Sequence, residues 1–432
     1  MPAPPGRLSR RRLLAAAAGL GLVVATGPLT GCSRSVSISD DPDELVLWYW
    51  NRSISPKLLA QAAEQIPGTT KRLRADVIGG TFDTKLRTSL AGKAYIPDIT
   101  AINSNAALYF TNEDLFTDLN TLGAEKFKPD FFEWKWQLGT TPTGRFLFWP
   151  MDTGPTGLYY RSDLFDEAGL PSEPEEVAES IRTWDALLEL GAKLRADSDL
   201  ALIANATMLF NQYINASPER YFDSSNQPLY SQPDSAVRRA WETAVEAVRS
   251  KITGNLQVAT DQNSGWVSGK VAGHIEAVWW AEILADTAPD TKGKWRLANQ
   301  PELPGNSGGS FLAVPSTCKD PEAAFAFLSW LTTPANQAVT FNDVQLFPST
   351  PASFTSGEMI SNTGFFGPQD PLDFFSKAAE AVPTTFVSTY EAQTSAFTTE
   401  LANVEAGGKD PEQAWDEAVT LTDKILAKRG VL

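Results

Sequence analysis

The chain has 432 residues, with 52 Asp and Glu against 36 Lys and Arg, a formal net charge of −16 at pH 7. That acidic balance disfavours nucleic acid and anionic lipid headgroups as partners. One histidine and two cysteines leave too little for a His-rich zinc site or a Cys–His nucleophile.

In chain order, Arg7, Arg10, Arg11 and Arg12 precede a charge-free run from Leu13 to Gly31. A basic stretch followed by an apolar one is the layout of a secretion signal, here 1–31. Leu29-Thr30-Gly31-Cys32 resembles a lipobox. Signals of that kind are cleaved before the Cys, which becomes N-terminal and diacylated, so Cys32 is the expected lipid anchor on the outer face of the cell membrane. A transmembrane anchor is the alternative, but Gly27 and Pro28 interrupt the run short of the roughly 20 apolar residues that a span needs. Ser9-Arg10-Arg11-Arg12-Leu13-Leu14 also looks like a twin-arginine signal, and that route and ordinary Sec export both stay open. Loss of 1–31 removes four Arg and no acids, leaving 32 bases against 52 acids, a net charge of −20. With Cys32 lipidated only Cys318 remains, so no intramolecular disulfide is available. The remaining length of about 400 residues fits roughly two domains.

Residues 32–43 are small, polar and acidic, and read as a flexible tether. Leu45-Val46-Leu47-Trp48-Tyr49 is a short apolar run suited to a buried parallel strand. Ser55-Pro56 supplies an N-cap and a first helical position for a helix through about Ile66. Arg72–Val77 reads as a second strand; Phe82, Leu86 and Leu90 mark an amphipathic helix, and Pro97–Asn103 a third strand. Strand–helix alternation of this kind predicts parallel βα units with helices on both faces. Further on, Phe146–Met151 and Gly157–Tyr160 read as strands around a Gly/Pro-rich joint, Asp152–Thr156. Helices are predicted around Thr183–Ala196, Asp234–Lys251 and Asp261–Ser268, then Pro321–Leu331 capped by Asp320, and Pro411–Lys428. Phe311–Val314 is a strand. No repeat of 20–50 residues is present.

Several stretches, in order, resemble the family 1 extracellular solute-binding proteins. Trp149-Pro150-Met151-Asp152 leading through Leu158-Tyr159-Tyr160-Arg161-Ser162-Asp163-Leu164-Phe165 to Ala168-Gly169-Leu170 is close to that family's central stretch, with Arg161 where Asn is usual. Thr183-Trp184-Asp185 matches a helix start of the family. Gly269-Lys270-Val271-Ala272 with Trp280-Ala281 resembles a later stretch, Val278-Trp279 replacing its Gly-Pro. Gly308-Gly309, Glu322-Ala323-Ala324-Phe325 and Leu346-Phe347-Pro348 complete the series, which spans most of residues 45–430.

The resemblance implies an α/β, two-lobe periplasmic-binding-protein fold (type II-like). Lobe one would be 44–153 with 301–345, and lobe two 154–300 with 346–432. Several hinge crossings would limit the lobes to closure around a ligand. The implied function is capture of a small carbohydrate outside the cytoplasm and its delivery to an ABC importer, by a monomer tethered to the membrane, with no cofactor, no metal and no nucleic acid. Sugar sites need aromatic platforms for C–H faces and planar polar groups for hydroxyls. The candidates are Trp50 and Asn51 after the first strand, Asp83 after the Gly79-Gly80 turn, and Asn103 and Ser104 after the third strand. Asp152 at the hinge, the pair Trp279 and Trp280, and Gly309 and Ser310 complete the set, with Trp280 on the family's stacking position. Trp48 shares a face with Trp50; Trp134, Trp136, Trp184, Trp241 and Trp415 read as core.

Two enzyme motifs fail on context. Gly305-Asn306-Ser307-Gly308-Gly309 matches a nucleophile elbow, but a strand follows it and the sole histidine, His274, lies upstream. Gly265–Lys270 lacks the spacing of a phosphate-binding loop. A glycoside hydrolase needs only two carboxylates, so it remains an alternative, as does a carbohydrate-binding surface lipoprotein without a transport role.

Overall fold

The computed structural model describes residues 38–361 and 364–432; the predicted signal, Cys32 and the tether up to residue 37 lie outside them. Among the described residues there are ten strands: β1 (Glu44–Tyr49), β2 (Arg72–Val77), β3 (Ile99–Ile102), β4 (Phe148–Pro150), β5 (Asp152–Thr153), β6 (Thr156–Arg161), β7 (Gly273–Ala277), β8 (Trp295–Ala298), β9 (Phe311–Ala313) and β10 (Phe347–Pro348).

The first sheet has the order β2-β1-β3-β9-β4. β2, β1 and β3 are parallel, and β9 joins β3 and β4 antiparallel. Leu45, Val46 and Leu47 are buried on both faces, as the unbroken apolar run requires. The helix Pro56–Glu64 starts where the Ser55 hydroxyl accepts from the Leu58 N–H, with Pro at the first position. Phe82–Gly92 turns Phe82, Leu86 and Leu90 inward. Pro321–Leu331 starts where Asp320 accepts from the Ala323 N–H. Each such cap satisfies a donor that the helix leaves orphaned, worth about 1 kcal/mol.

The second sheet, β7-β6-β8, is antiparallel throughout, where parallel units were expected. β6 is buried along its whole length. An apolar run reports that both faces are covered and carries no mark of its neighbours' direction.

Two cores correspond to the two sheets. One gathers β1, β3, β4 and β9 around Leu47, Phe148, Trp149 and Phe311, with Phe327 of the Pro321–Leu331 helix. The other packs Leu158 and Tyr160 of β6 against Trp184, Phe210 and Trp241, and takes Phe397 and Trp415 from the last two helices. A third, aromatic cluster joins Tyr159, Trp280 and Trp295 to Phe347, Phe366 and Phe375, and receives Phe132 and Trp134 from before β4.

The chain crosses between the sheets near 151–155, 305–310 and 346–349, and the crossings are laced together. Gly154 donates to Asn306 Oδ1 (2.9 Å), Ser307 donates to the Gly154 carbonyl (2.8 Å), and Thr153 Oγ1 donates to the Pro348 carbonyl (2.8 Å). A Cβ at Gly154 would stand 2.1 Å from the Ser307 carbonyl oxygen, so only glycine permits this approach.

Candidate functional site

A cavity of about 390 Å³ opens beside the crossings. One wall comes from the first sheet's side, with Ser104, Asn105 and Leu108 after β3, and Trp134 and Leu138 of the helix Glu133–Leu138. The opposite wall carries Asn215 and Arg220 and the loop around Val382–Ala392; Asn306, Ser307 and Gly308 of the second crossing form the floor. Residues after β3 reach the cavity because they leave the C-terminal edge of a parallel strand, where open α/β sheets place their ligands.

The lining has one ion pair, and it is closed on itself. Arg220 donates from Nε and Nη2 to both oxygens of Glu391 (2.8–3.1 Å), and from Nη1 to Asn215 Oδ1 (3.2 Å). The rest of the polar lining is amide, hydroxyl and backbone. Such a surface offers hydrogen bonds to a neutral polar molecule and holds no uncompensated charge for an ionic one. A larger groove of about 900 Å³ lies on the second sheet's side, along the helices Trp184–Ser198 and Ala236–Arg249. Its Arg238 is already paired with Glu242 and Glu412.

The sequence candidates fall into four groups. Ser104 lines the cavity; Gly309 and Ser310 follow directly on its floor. Gly309 has φ +74°, and a Cβ there would stand 3.0 Å from both the Asp152 carbonyl oxygen and Lys135 Nζ. Asn103 and Asp83 bond each other, Asn103 Nδ2 donating to Asp83 Oδ2 at 2.7 Å. Trp50 is half-buried, edge-on to Phe82 at 5.1 Å, and Asn51 is exposed. Trp48 is buried, with Lys85 Nζ 4.2 Å above its ring. Beside them Arg52 forms an ion pair with Glu282 on the helix Trp280–Thr287, which links the two sides of the molecule.

Asp152 is held by the hinge. Its Oδ1 accepts from the Ser310 N–H (2.8 Å) and the Ser310 hydroxyl, and burial pushes its carboxyl up against the opposing pull of Lys135 and Ser310. Lys135 is fully buried, its Nζ 3.5 Å over the Phe311 ring, and burial drives it down to about 7 against the pull of Asp152.

The tryptophan pair divides. Trp280 is 4% exposed and enclosed by Tyr159 (4.8 Å), Trp266 (5.0 Å), His274 (4.5 Å) and Trp295 (5.9 Å). Trp279, at the N-cap of that helix, is half-buried, and its Nε1 donates to the Ser307 carbonyl at 3.0 Å. Gly308, φ +92°, sits under it; a Cβ would come within 3.2 Å of Nε1. The indole next to the cavity floor is therefore Trp279. His274, buried between Trp266 and Trp280, is pushed down to about 3 by burial and stays neutral. The Gly305–Gly309 stretch runs into β9 as the second crossing, with no helix behind Ser307.

Sequence reasoning missed Asn215, Arg220 and the Val382–Ala392 loop. The Arg220–Glu391 contact closes over 171 residues of chain, and the loop has no periodicity to mark it. Trp134, read as core, is buried and also lines the cavity, its Nε1 donating to the Ala379 carbonyl at 3.0 Å. Cys318 is buried and free. Among the described residues no group of three His, Cys, Asp or Glu could hold a metal ion, and no helix is long and apolar enough to cross a membrane.

Comparison with known proteins places this geometry. A curated relative, the lactose-binding protein of Rhizobium radiobacter, is 26% identical over 345 residues, covering 75% of each chain. A solved extracellular solute-binding protein of family 1 superposes with a TM-score of 0.83 at 27% identity, over 88% of this chain and 99% of its own. The galacto-N-biose/lacto-N-biose I-binding protein of a Bifidobacterium longum ABC transporter, solved with lacto-N-biose, shares the fold at a TM-score of 0.72 and 19% identity, over 90% and 98% of the chains. These neighbours have the two-lobe architecture that the two sheets and laced crossings build here. The pattern of the bacterial extracellular solute-binding proteins matches residues 59–338, more than half of the sequence, and the chain belongs to that family.

Proposed function

We propose that this protein captures a small neutral carbohydrate, a mono- or oligosaccharide or glycoside, outside the cytoplasm and presents it to an ABC importer. The observation that carries the reading is the cavity: about 390 Å³, walled from both lobes, lined by amides, hydroxyls and the buried Trp134, with its one ion pair internally neutralised. That volume lies within the ~300–1,000 Å³ usual for small-molecule sites. The lactose and lacto-N-biose named for two relatives support the same class of ligand.

In this reading the lobes divide at 153/154, 300/301 and 345/346, and closure about the crossings buries the sugar. Ser104 and Asn105 with Asn215 and Ser307 take hydroxyls, and Trp279 serves as the stacking platform in place of Trp280. Trp50, Asn51, Asp83 and Asn103 form the outer wall on lobe one, while Asp152, Gly309 and Ser310 hold the hinge. Cys32 carries the lipid, and the protein works as a monomer without cofactor or turnover. The test is calorimetric titration with mono- to trisaccharides and glycosides, with intact ligand recovered afterwards. Release of new reducing ends would replace transport by hydrolysis.

A further inference from the structure

Arg52, in the turn after β1, pairs with Glu282 on the helix Trp280–Thr287, 230 residues away. Among the described residues it is the only ion pair that joins the lobes as divided above. Both ends are held in place. Ser53, 1% exposed, donates from Oγ to the Trp50 carbonyl at 2.6 Å, and Ser55 and Lys57 bind the following turn to Asp343. Between them Arg52 stands at φ +62°, a left-handed conformation that a residue with a Cβ keeps only where its surroundings impose it. Opposite, Glu282 lies in the first turn of its helix, where the helix dipole favours an acid.

The pair joins the two segments that carry candidate indoles. Arg52 follows Trp50 by two residues, and Glu282 follows Trp279 by three. Trp279 is itself bonded to the second crossing through the Ser307 carbonyl. Closing the pair therefore sets the turn after Trp50 against the helix that Trp279 caps. Its strength suits a contact that is made and broken. The two side chains are 57% and 32% exposed, and pairs so open to solvent change an equilibrium constant by only about two- to fivefold. Parting the lobes separates Arg52 from Glu282, so the pair acts on the closed state alone and shifts the equilibrium by its full strength.

We propose that Arg52 and Glu282 are positioning residues that form a clasp: paired, they hold the lobes closed over the bound sugar without touching it, and so set how long the sugar stays. The inference rests on the hinge-closure reading of carbohydrate capture given above. A contact made only in the closed state adds nothing to the first encounter and must break before release, so it acts on the dissociation rate. Because the pair is solvent-exposed, salt weakens it.

The test begins without ligand. In the Cys32→Ala protein, whose remaining Cys318 is buried, spin labels are placed at Glu64→Cys on the helix Pro56–Glu64 and at Glu189→Cys on the helix Trp184–Ser198. Both positions are exposed, and the distance between the labels reports the separation of the lobes. Arg52→Ala and Glu282→Ala should each move the ratio of shorter to longer distances by about two- to fivefold toward the longer. The double variant should go no further, since its second substitution removes a partner already lost. Salt at about 1 M should do the same to the parent protein and leave the variants unchanged. Distributions that ignore both substitutions, or effects that add in the double variant, overturn the proposal. Lactose kinetics are the second arm: the dissociation rate should rise about two- to fivefold in each variant at an unchanged association rate, and an unchanged dissociation rate overturns the proposal. Absence of lactose binding in every form counts against the carbohydrate reading, while the distance distributions still decide on the clasp.

Discussion

Trp279→Ala removes a half-buried indole bonded to the cavity floor, so sugar binding should weaken by about 1–3 kcal/mol with little change in unfolding midpoint. Trp280→Ala removes a ring enclosed by four others and should cost about 3–5 kcal/mol of stability. Calorimetry and urea unfolding of both variants check this; loss of binding from Trp280→Ala at full stability would reverse the assignment. The pair shows what sequence carries at this scale. Two adjacent tryptophans after a strand signal an aromatic element near a site. Which of them enters the core depends on the helix starting at Trp280, which buries Trp280 and leaves Trp279 at the cap, bonded to the Ser307 carbonyl. Asp152 is similar: the Pro-x-Asp stretch singled it out, while its engagement by Ser310, 158 residues away, was not legible.

Elements were legible where local signals agreed. Ser55-Pro56 and Asp320-Pro321 fixed helix starts through cap and first-turn chemistry, and the apolar runs at Leu45 and Phe311 became central strands. The direction of the second sheet was not legible, because full burial of β6 erases the alternation that would tell its neighbours apart. The helix Glu133–Leu138 carries a further consequence. It drives Lys135 beneath the second crossing, where burial lowers its pKa from 10.5 to about 7. The unfolded chain then holds that proton more tightly than the fold does. Between about 7 and 10.5 stability should rise with pH, by at most ~1.4 kcal/mol per unit. Below that window both states are protonated and the contribution is flat. Urea unfolding across the window should show this slope in wild type and its loss in Lys135→Met; an identical slope in both would place the titration elsewhere.

At the scale of the whole molecule, two sheets with their own cores are joined by three laced crossings and by the aromatic cluster that Phe132 and Trp134 enter, and the proposed hinge closure would turn about those crossings. The overall architecture was legible because the motifs fall in order over most of the chain. The far wall of the cavity was not, because it is assembled from Asn215, Arg220 and a loop near residue 390 that meet only in the folded state. The proposed anchoring at Cys32 should be separable from binding. Cys32→Ala should shift the protein from the membrane fraction to the medium or periplasm with sugar affinity unchanged, and retention in the membrane would favour an uncleaved helical anchor. The most direct test of carbohydrate capture is calorimetric titration of the purified protein with a panel of neutral mono- to trisaccharides. One of them should bind at one site with a Kd of about 1 μM or tighter and be recovered intact. No heat from any neutral sugar, with saturable binding of a charged solute instead, would contradict it.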